Sequence, residues 1–493
     1  MKRVLLAGFL WGIVALPLFA GIRSPSVLIP IRNYVVQDTN RWRIAEDNAG
    51  MFVYPLGGNS GGSWSGRGYL FGGGIWIGCM DTTDQDTVVA WGYNPNSGAS
   101  NLGPCLPNGD TTGAGTDSLA RIYDSSLPRD TTQWPERDSL GRAIIQSDQE
   151  LWAICSGLYQ RPPDRPLGVV SVRRSMAWNS PGPWGDIVKM EFEVKNVTGR
   201  YQPPARTLKK VIIGLCLDAD IGNEGGIRAN DQCYLDRTSG SPFPNLAVQY
   251  QTAQELGWGP PPYYVGMKFV SGPTNNTLDT IRIRSNNFPA YNRDVLPGQP
   301  LGMTAFKLFT LTTDPSTAPQ RYLELAGYYY LNPTVYEPYD NDFPGPSDHR
   351  FLLSCGPFNL PNDSTVRVTA HIIGATDSLD LIRKAELVGV ESTLGQVARN
   401  ASGVVLFPSV PNPNRGSCLI CYFLPEPSPV TLRVYDVSGR LVRELEKGMR
   451  SVGANSVRWD GRDESGRPVA GGVYFYRLEV SEKYWVKKTV LLR

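Results

Sequence analysis

The clearest pattern in the chain is an alternation of apolar and charged residues that predicts β-strands. Between residues 187 and 196, apolar side chains at positions 188, 190, 192 and 194 alternate with charged ones at 189, 191, 193 and 195. This period of two is typical of a strand that buries one face. Apolar runs predict further strands near residues 169–174, 211–217, 263–270, 303–312, 322–330 and 364–373. We therefore expect a β-sandwich module over residues 166–376.

The stretches on either side of this module have different patterns. Residues 21–165 are dense in Gly, Asn, Asp and Pro, with short aromatic pieces at 68–72 and 74–78, which predicts a Gly/Asn-rich N-terminal β module of short strands and long loops. Apolar residues over 377–399, with Asp377 or Ser378 as the cap, predict one helix. We interpret residues 377–403 as a helical connector.

Residues 404–493 show strand alternation again, with turn signals that include Ser438-Gly439 and Asp460-Gly461. Their spacing predicts a small sandwich of about seven strands. The whole chain also contains 52 Gly and 40 Pro, which suits short strands joined by tight turns. The expected fold class is mostly β and multidomain, with β-sandwich modules, one connector helix and a C-terminal Ig-like sandwich.

The N-terminus has the layout of a secretory signal peptide. Lys2 and Arg3 precede an uncharged apolar run that ends at Leu18, and small residues follow at Ala20 and Gly21. The run is shorter than the roughly 20 residues that a bilayer crossing needs. We expect residues 1–20 to be cleaved, and the mature chain to be secreted or attached to the cell surface without a membrane span.

Charge and cysteine content narrow the possible functions. The chain has 48 basic and 46 acidic residues, and the scattered basic residues leave no footprint for nucleic acid. Eight cysteines follow the N-terminal segment, and an oxidising compartment would permit disulfides whose pairing the sequence leaves open. Cys418 and Cys421 lie in an apolar run that predicts a strand, which would place them on opposite faces and argues against a metal site.

No catalytic residue is predicted. The only two histidines, His349 and His371, exclude a three-histidine zinc site, and no HExxH motif is present. We interpret His349 as an exposed loop residue and His371 as structural. The segment GNSGG at residues 58–62 is similar to the serine loop of chymotrypsin-like proteases, but both histidines follow it, so we interpret it as a glycine-rich turn.

A metal site is the main candidate for site chemistry. Asp218, Asp220 and Asp231 follow the strand predicted over 211–217, and alternate residues at a strand end point the same way. Carboxylate oxygens are the ligands that Ca²⁺ prefers, so these residues are a candidate calcium site, structural rather than catalytic. Such Asp-rich segments more commonly form an ordinary turn, and that interpretation stands beside the calcium site. Two carboxylates that converge in space would also suffice for a glycosidase, so an enzyme stays possible.

The C-terminal ninety residues resemble a known family. The resemblance is to the Ig-like domain of the flagellar hook-capping protein and to the related C-terminal sorting domain of the type IX secretion system. It is carried by the segments FPSVPNPN (407–414), FLP (423–425), VYDVSGRLV (434–442), RWDGRDESG (458–466) and GGVYFYRL (471–478). One departure is Asn414, where this family usually has Phe, and it leaves the sorting subtype open. The rest resembles uncharacterised exported bacterial proteins through GIWIG (74–78), DADIG (218–222) and SCGPFNL (354–360).

The resemblance implies a route out of the cell rather than an activity. It implies general export followed by outer-membrane secretion machinery that recognises the folded C-terminal domain; the alternative is an Ig-like spacer. We expect a non-enzymatic secreted or cell-surface protein that serves in adhesion, glycan binding or surface structure, with an extracellular glycan or surface protein as partner. The competing hypothesis is a secreted carboxylate-type hydrolase that acts on polysaccharide.

Overall fold

The computed structural model describes residues 33–492, apart from the segments 57–59, 81–85, 112–117, 160–164, 181, 223–230, 239–240, 242, 253–262, 342–345, 389–402, 410–411, 415 and 451–452. The predicted signal peptide, residues 1–20, lies outside these residues. Within the described part of the chain, no helix is both long and apolar enough to cross a membrane.

Strands dominate the described chain, which confirms the mostly β fold class. Before residue 160 they are β1 (Tyr34–Gln37), β2 (Trp42–Asp47), β3 (Met51–Val53), β4 (Gly62–Trp64), β5 (Arg67–Leu70), β6 (Gly72–Met80), β7 (Thr87–Trp91), β8 (Gly103–Pro104), β9 (Tyr123–Asp124) and β10 (Gln149–Ser156). Between residues 169 and 375 they are β11 (Val169–Ala177), β12 (Ile187–Asn196), β13 (Leu208–Asp218), β14 (Asp231–Asp236), β15 (Leu246–Gln251), β16 (Tyr264–Ser271), β17 (Ile281–Ile283), β18 (Arg293–Val295), β19 (Ala305–Phe309), β20 (Tyr328–Tyr329), β21 (Asn332–Tyr336), β22 (Arg350–Leu360) and β23 (Thr365–Ala375).

Two antiparallel sheets form the body of the protein. The larger sheet has the order β14-β15-β16-β23-β12-β11-β10-β8, with β9 also on β10. The second has the order β19-β22-β13-β6-β3, with β7 also on β6. One apolar core contains the inward side chains of both sheets, for example Met190 and Phe192 from the first and Leu215 and Leu353 from the second. The apolar residues that alternate with charged ones over 187–196 therefore form the inner face of β12.

The described residues also form short helices. They are α1 (Pro128–Thr132), α2 (Thr198–Tyr201), α3 (Ala318–Leu325) and a fourth, α4, described over residues 378–388. Leu325 of α3 packs against the outer face of the second sheet, and Leu381 and Ala385 of α4 pack against the outer face of the first. The predicted Asp377 cap is present, because its Oδ1 accepts from the backbone N–H of Asp380 at 2.8 Å. The remainder of the predicted helix, up to residue 399, lies outside the described residues.

Helix α3 corrects two sequence predictions. The strand expected near 322–330 is wrong for its first half, and α4 is not the only helix outside the N-terminal segment. The cause is local: the Thr317 side chain accepts from the backbone N–H of Gln320, and the Gln320 side chain accepts from the backbone N–H of Thr317. This capping box, with Pro in the first turn, starts a helix.

The two sheets are shared by residues from both sides of position 165. Strand β10 pairs with β11, and β6 pairs with β13. Arg173 on β11 also donates to the backbone oxygens of Met51 and Asp47 at 2.5 and 2.9 Å, and its Nε lies 2.9 Å from Glu46 Oε2. The sequence boundary expected between 165 and 166 therefore does not coincide with a break between sheets.

The described residues of the C-terminal module form seven strands: β24 (Val405–Leu406), β25 (Cys418–Leu424), β26 (Ser428–Tyr435), β27 (Leu441–Arg450), β28 (Gly453–Trp459), β29 (Gly472–Val480) and β30 (Lys483–Leu491). They form the sheets β24-β25-β28 and β27-β26-β29-β30. Its own core includes Leu432, Trp459 and Tyr476. Cys418 and Cys421 belong to different apolar clusters, as their predicted opposite directions on β25 require. All eight cysteines are buried.

Asn414 fastens the start of this module to its last strand. Its side-chain amide donates to Thr489 Oγ1 at 3.0 Å and to the Val490 carbonyl at 3.1 Å. Its backbone oxygen accepts from the Leu492 N–H at 2.7 Å. A polar residue at this buried position is accommodated because its hydrogen bonds are satisfied.

Candidate cation-binding site

The candidate site begins where β13 ends at Asp218. This residue pairs across the sheet with Arg350, the first residue of β22, and on the other side with Gly72 of β6. A Cβ at position 72 would lie 2.4 Å from the Tyr93 ring, so only glycine leaves room for that ring. The missing side chain therefore allows the Tyr93 hydroxyl to reach Asp218.

Asp218 is fully buried and only partly satisfied by its neighbours. Its Oδ2 accepts from the Tyr93 hydroxyl at 2.6 Å and from Arg350 Nε at 3.2 Å. Its Oδ1 has no hydrogen-bond partner among the described residues. A buried carboxylate oxygen without a partner is costly, and it marks a position where a further ligand would be stabilising.

Arg350 is shared by three carboxylates. Its guanidinium lies 3.2 Å from Asp218, 3.2 Å from Asp348 and 3.7 Å from Asp314. The Asp314 side chain is 0% exposed, and within the described chain neither of its oxygens has a hydrogen-bond partner. One guanidinium therefore faces more negative charge than it can neutralise.

Asp220 completes the acidic group. Asp218, Asp220 and Asp348 each offer one carboxylate oxygen, and these three oxygens lie within 4.8 Å of one another. Two of these residues come from the end of β13, and the third precedes β22. Three converging hard oxygens are a partial coordination shell of the kind that Ca²⁺ fills with further carbonyl or water ligands.

The electrostatics of the group follow from burial. Burial raises the pKa of Asp218 to about 6 and that of Asp314 to about 7, while the charge of Arg350 opposes both shifts. The nearby charge of Asp348 raises both pKa values further. The carboxylates therefore repel one another inside a dry site, and a positive ion would relieve that repulsion.

Asp231, the third residue predicted from sequence, lies next to this group with a different role. Its Oδ2 accepts from the Ile221 N–H at 3.0 Å and from Gln249 Nε2 at 3.2 Å. Its backbone forms a bridge with Ser347, the residue before Asp348. The structure thus brings Asp218 and Asp220 together with Asp348. The Asp231 carboxylate instead binds Gln249 of the neighbouring strand β15 and the backbone of Ile221.

Sequence reasoning missed Asp348 and Asp314. Asp348 lies 130 positions from Asp218, and only the pairing of β13 with β22 brings them together. The available signal was the charged cluster Asp348-His349-Arg350 directly before an apolar strand. Charged residues at such a position need partners when the strand is buried, but the sequence does not say which partners.

The two histidines differ from a pair of catalytic bases. The prediction that His349 is exposed is wrong, since this residue is 1% exposed. It is buried because the residues on either side of it pair with strands: Ser347 forms a bridge to β14, and Arg350 pairs with β13. His371 on β23 is buried between Lys189 and Lys268 of the flanking strands. Burial and these two cations hold the pKa of His371 well below its usual value.

Ser60, the serine of the glycine-rich segment, contacts backbone. Its Oγ lies 2.7 Å from the Gly62 carbonyl oxygen and 2.8 Å from that of Leu70. The hydroxyl is therefore engaged in holding a turn; residues 57–59 of the same segment lie outside the described residues.

The C-terminal module can be assigned to a family. Residues 418–483 match the family model of the FlgD Ig-like domain. The C-terminal module is a FlgD Ig-like domain. This match concerns β25–β29 and leaves the two-sheet body to be interpreted from its own geometry. A search of curated proteins finds no match to the chain.

Three solved structures are similar to parts of this chain. FlgD from P. aeruginosa is 29% identical over 15% of this chain and 59% of its own length, with a TM-score of 0.13. FlgD from Xanthomonas campestris is 23% identical over 20% of this chain and 73% of its own, with a TM-score of 0.14. A polysaccharide lyase matches 93% of this chain and 46% of its own length at 7% identity and a TM-score of 0.28. The chain thus spans less than two thirds of the first FlgD and of the lyase, and the lyase match carries no argument about activity.

Proposed function

We propose that this chain is a secreted or cell-surface protein without catalytic activity, which serves in adhesion, glycan binding or surface structure. In this proposal the two-sheet body presents the binding or structural surface. The FlgD Ig-like domain at 418–483 serves as the module that outer-membrane secretion machinery recognises. The observation that carries the proposal is this domain at the C-terminal end of a chain whose N-terminal residues read as a signal peptide.

The placement of buried charge supports a non-enzymatic body. Glu46 contacts Arg173 and Glu150 contacts Arg174, so these carboxylates are balanced by cations inside the fold. A glycosidase needs two carboxyl groups about 5–9.5 Å apart that a sugar can reach. Asp218 and Asp314 have side chains that are 1% and 0% exposed, so a polysaccharide would have no access to them.

The acidic group at the end of β13 has a structural role in this proposal. A divalent cation, Ca²⁺ by its preference for carboxylate oxygens, is held by Asp218, Asp220 and Asp348. The support beyond clustered acids is that, among the described residues, Oδ1 of Asp218 and both oxygens of the buried Asp314 have no hydrogen-bond partner. The ion fastens β13 to the segment before β22, and it takes no part in a reaction.

The experiment is a paired screen of the mature chain, residues 21–493, with and without Ca²⁺. Binding is measured on a glycan array, and turnover on a panel of chromogenic glycosides and polysaccharides. Binding without turnover supports a recognition protein. Turnover of a glycoside or a polysaccharide by the purified chain, with or without Ca²⁺, would establish the hydrolase instead.

A further inference from the structure

A second charged cluster lies at the edge strand β19 of the second sheet, around a buried lysine. Lys307 is in the middle of β19, and its side chain is 0% exposed. Its Nζ lies 2.6 Å from Asp340 Oδ1 and 3.1 Å from the carbonyl oxygen of Glu337. An amine and a carboxyl group are therefore held in contact where water is excluded.

The backbone fixes the Asp340 carboxyl group against β19. The Asp340 N–H donates to the Phe306 carbonyl oxygen at 3.0 Å, and the Leu308 N–H donates to Asp340 Oδ2 at 2.9 Å. These two bonds, on either side of Lys307, leave Oδ1 and the carboxyl carbon facing the amine. The contact is thus set by the fold and does not depend on two flexible side chains meeting.

A second acid completes the cluster. Glu324 of α3 has a side chain that is 4% exposed, and its Oε2 lies 3.7 Å from Lys307 Nζ. Its other oxygen accepts from the Tyr330 N–H at 2.8 Å, which fixes the carboxyl group. The Tyr329 ring covers the amine, with the centroid 3.6 Å from Nζ. Two carboxyl groups therefore share one amine in an apolar enclosure.

The protonation of the cluster suits acid–base chemistry. Burial raises the pKa of Glu324 to about 7, although the charge of Lys307 opposes the shift, and burial also raises the pKa of Asp340. Two carboxylates and one ammonium would leave one uncompensated negative charge, so a shared proton lowers the cost of burial. A proton can then move among the three groups.

We infer that Lys307 Nζ and the carboxyl carbon of Asp340 form an intramolecular amide cross-link, with Glu324 as the proton carrier. The bond joins the edge strand β19 to the segment after β21 and closes a loop that contains α3. It is independent of the function proposed above, since it concerns the covalent state of the body alone.

The reaction balances without an added reagent. The Lys307 ammonium gives one proton to Glu324 and one to Asp340, directly or through Glu324, as the neutral amine attacks the Asp340 carboxyl carbon. In the tetrahedral adduct the new C–N bond is formed, one carboxyl oxygen is protonated by Glu324, and the C–O bond to it breaks. One water leaves, and the carboxylate of Glu324 is restored. In the net reaction an ammonium and a carboxylate become an amide and a water molecule, with no oxidation and no change in total charge.

The geometry favours this condensation, which in water is slow and is opposed by hydrolysis. Groups held in contact by a fold react with effective molarities of about 10⁵–10⁸ M in favourable cases. The enclosure also removes the water that favours the reverse hydrolysis. Both conditions exist only in the folded chain, so the cross-link is a product of folding.

The test is the mass of the purified full chain under denaturing conditions, followed by tryptic mapping. The expected mass is one water below that of the processed sequence, and the peptides that carry Lys307 and Asp340 are joined, with no cleavage after Lys307. Lys307→Met and Asp340→Ala restore the sequence mass. Glu324→Gln folds, as judged by circular dichroism, and remains unlinked.

A matched control separates this reaction from other losses of water. Lys384 is a second buried lysine, paired with Asp186 at 2.8 Å and Asp380 at 2.6 Å, and Lys384→Met must retain both the lower mass and the joined peptide. Wild-type protein with the full sequence mass and normal tryptic cleavage after Lys307 overturns the proposal. That outcome needs no variant, so it stands even if a variant fails to fold.

Discussion

Arg350 Nε lies 3.2 Å from Asp218 Oδ2 at the position where β22 begins and β13 ends. The same guanidinium also faces Asp314 and Asp348, so it links three acids and neutralises only one negative charge. A buried group of this composition is stable only if protons or a second cation balance it. This relationship leads to the first prediction.

Calcium should stabilise the body. At a concentration about 100 times the Kd, a ligand that binds only the folded state adds about 2.7 kcal/mol, or a rise in Tm of roughly 3–4 °C for a body of this size. Differential scanning calorimetry with Ca²⁺ and after chelation measures the shift. Asp218→Asn combined with Asp348→Asn should abolish it, whereas the exposed Asp138→Asn should retain it. A shift that is equal in wild type and in the double variant would remove the metal from the account.

The buried Arg173–Glu46 ion pair should be necessary for the stability of the body. Burial raises the pKa of Glu46, and the charge of Arg173 opposes that shift. Arg173→Ala leaves the carboxyl group without its cation and removes the hydrogen bonds to the backbone of β2 and β3, which should cost about 3–5 kcal/mol of unfolding free energy. Urea denaturation measures it. Arg142→Ala, which breaks an exposed ion pair with Asp138, is the control and should change little; equal effects would contradict the shared core.

Lys268 should make the stability of the body depend on pH. Burial lowers the pKa of Lys268 to about 7, whereas an unfolded lysine keeps its ordinary pKa of 10.5. Between these values the unfolded chain binds more protons, so this residue makes stability rise with pH, by at most about 1.4 kcal/mol per pH unit. Lys268→Met should therefore be stabilising relative to wild type at pH 7, and the difference should shrink toward pH 10. Urea titrations across that range measure it, and a difference that is constant with pH would show that Lys268 is charged in the fold.

Asn414 should contribute to the C-terminal domain although it departs from the family pattern. Asn414→Ala removes three side-chain hydrogen bonds and leaves the buried hydroxyl of Thr489 with fewer partners. The expected loss is about 1–3 kcal/mol in this domain. Hydrogen exchange of β30 should report it as faster exchange near Val490. Unchanged protection there would mean that the Asn414 side chain does not hold β30.

The sequence predicted the positions of strands more accurately than it predicted which residues contact one another. Alternation of apolar and charged residues located β12, and apolar runs located β13, β16 and β23. A half-buried strand needs apolar residues at every second position, and a fully buried strand needs them throughout, so both kinds of strand are visible in the sequence. It also located Asp218 and Asp220 at a strand end. It failed over residues 322–325, where a strand was predicted and the chain forms the end of α3, a helix that the capping box at Thr317 starts.

The chemistry of the two clusters depends on contacts that no local pattern contains. Asp348 joins Asp218 only through the register of β13 on β22, and Asp340 joins Lys307 through the chain that returns beside β19. One local signal did exist: Lys307 interrupts an apolar run, and a charge in a buried strand requires a partner. Identifying that partner required the fold.

The most direct test of the central claim is export in the source cells. Full-length protein and a chain that ends at residue 403 are expressed with the native N-terminus, and the cell surface, medium and periplasm are assayed by immunoblot and by mass spectrometry of the mature N-terminus. The account predicts full-length protein outside the outer membrane, beginning near Gly21, and truncated protein retained in the periplasm with its body folded. Equal export of both chains, or an intact Met1 on the exported protein, would contradict it.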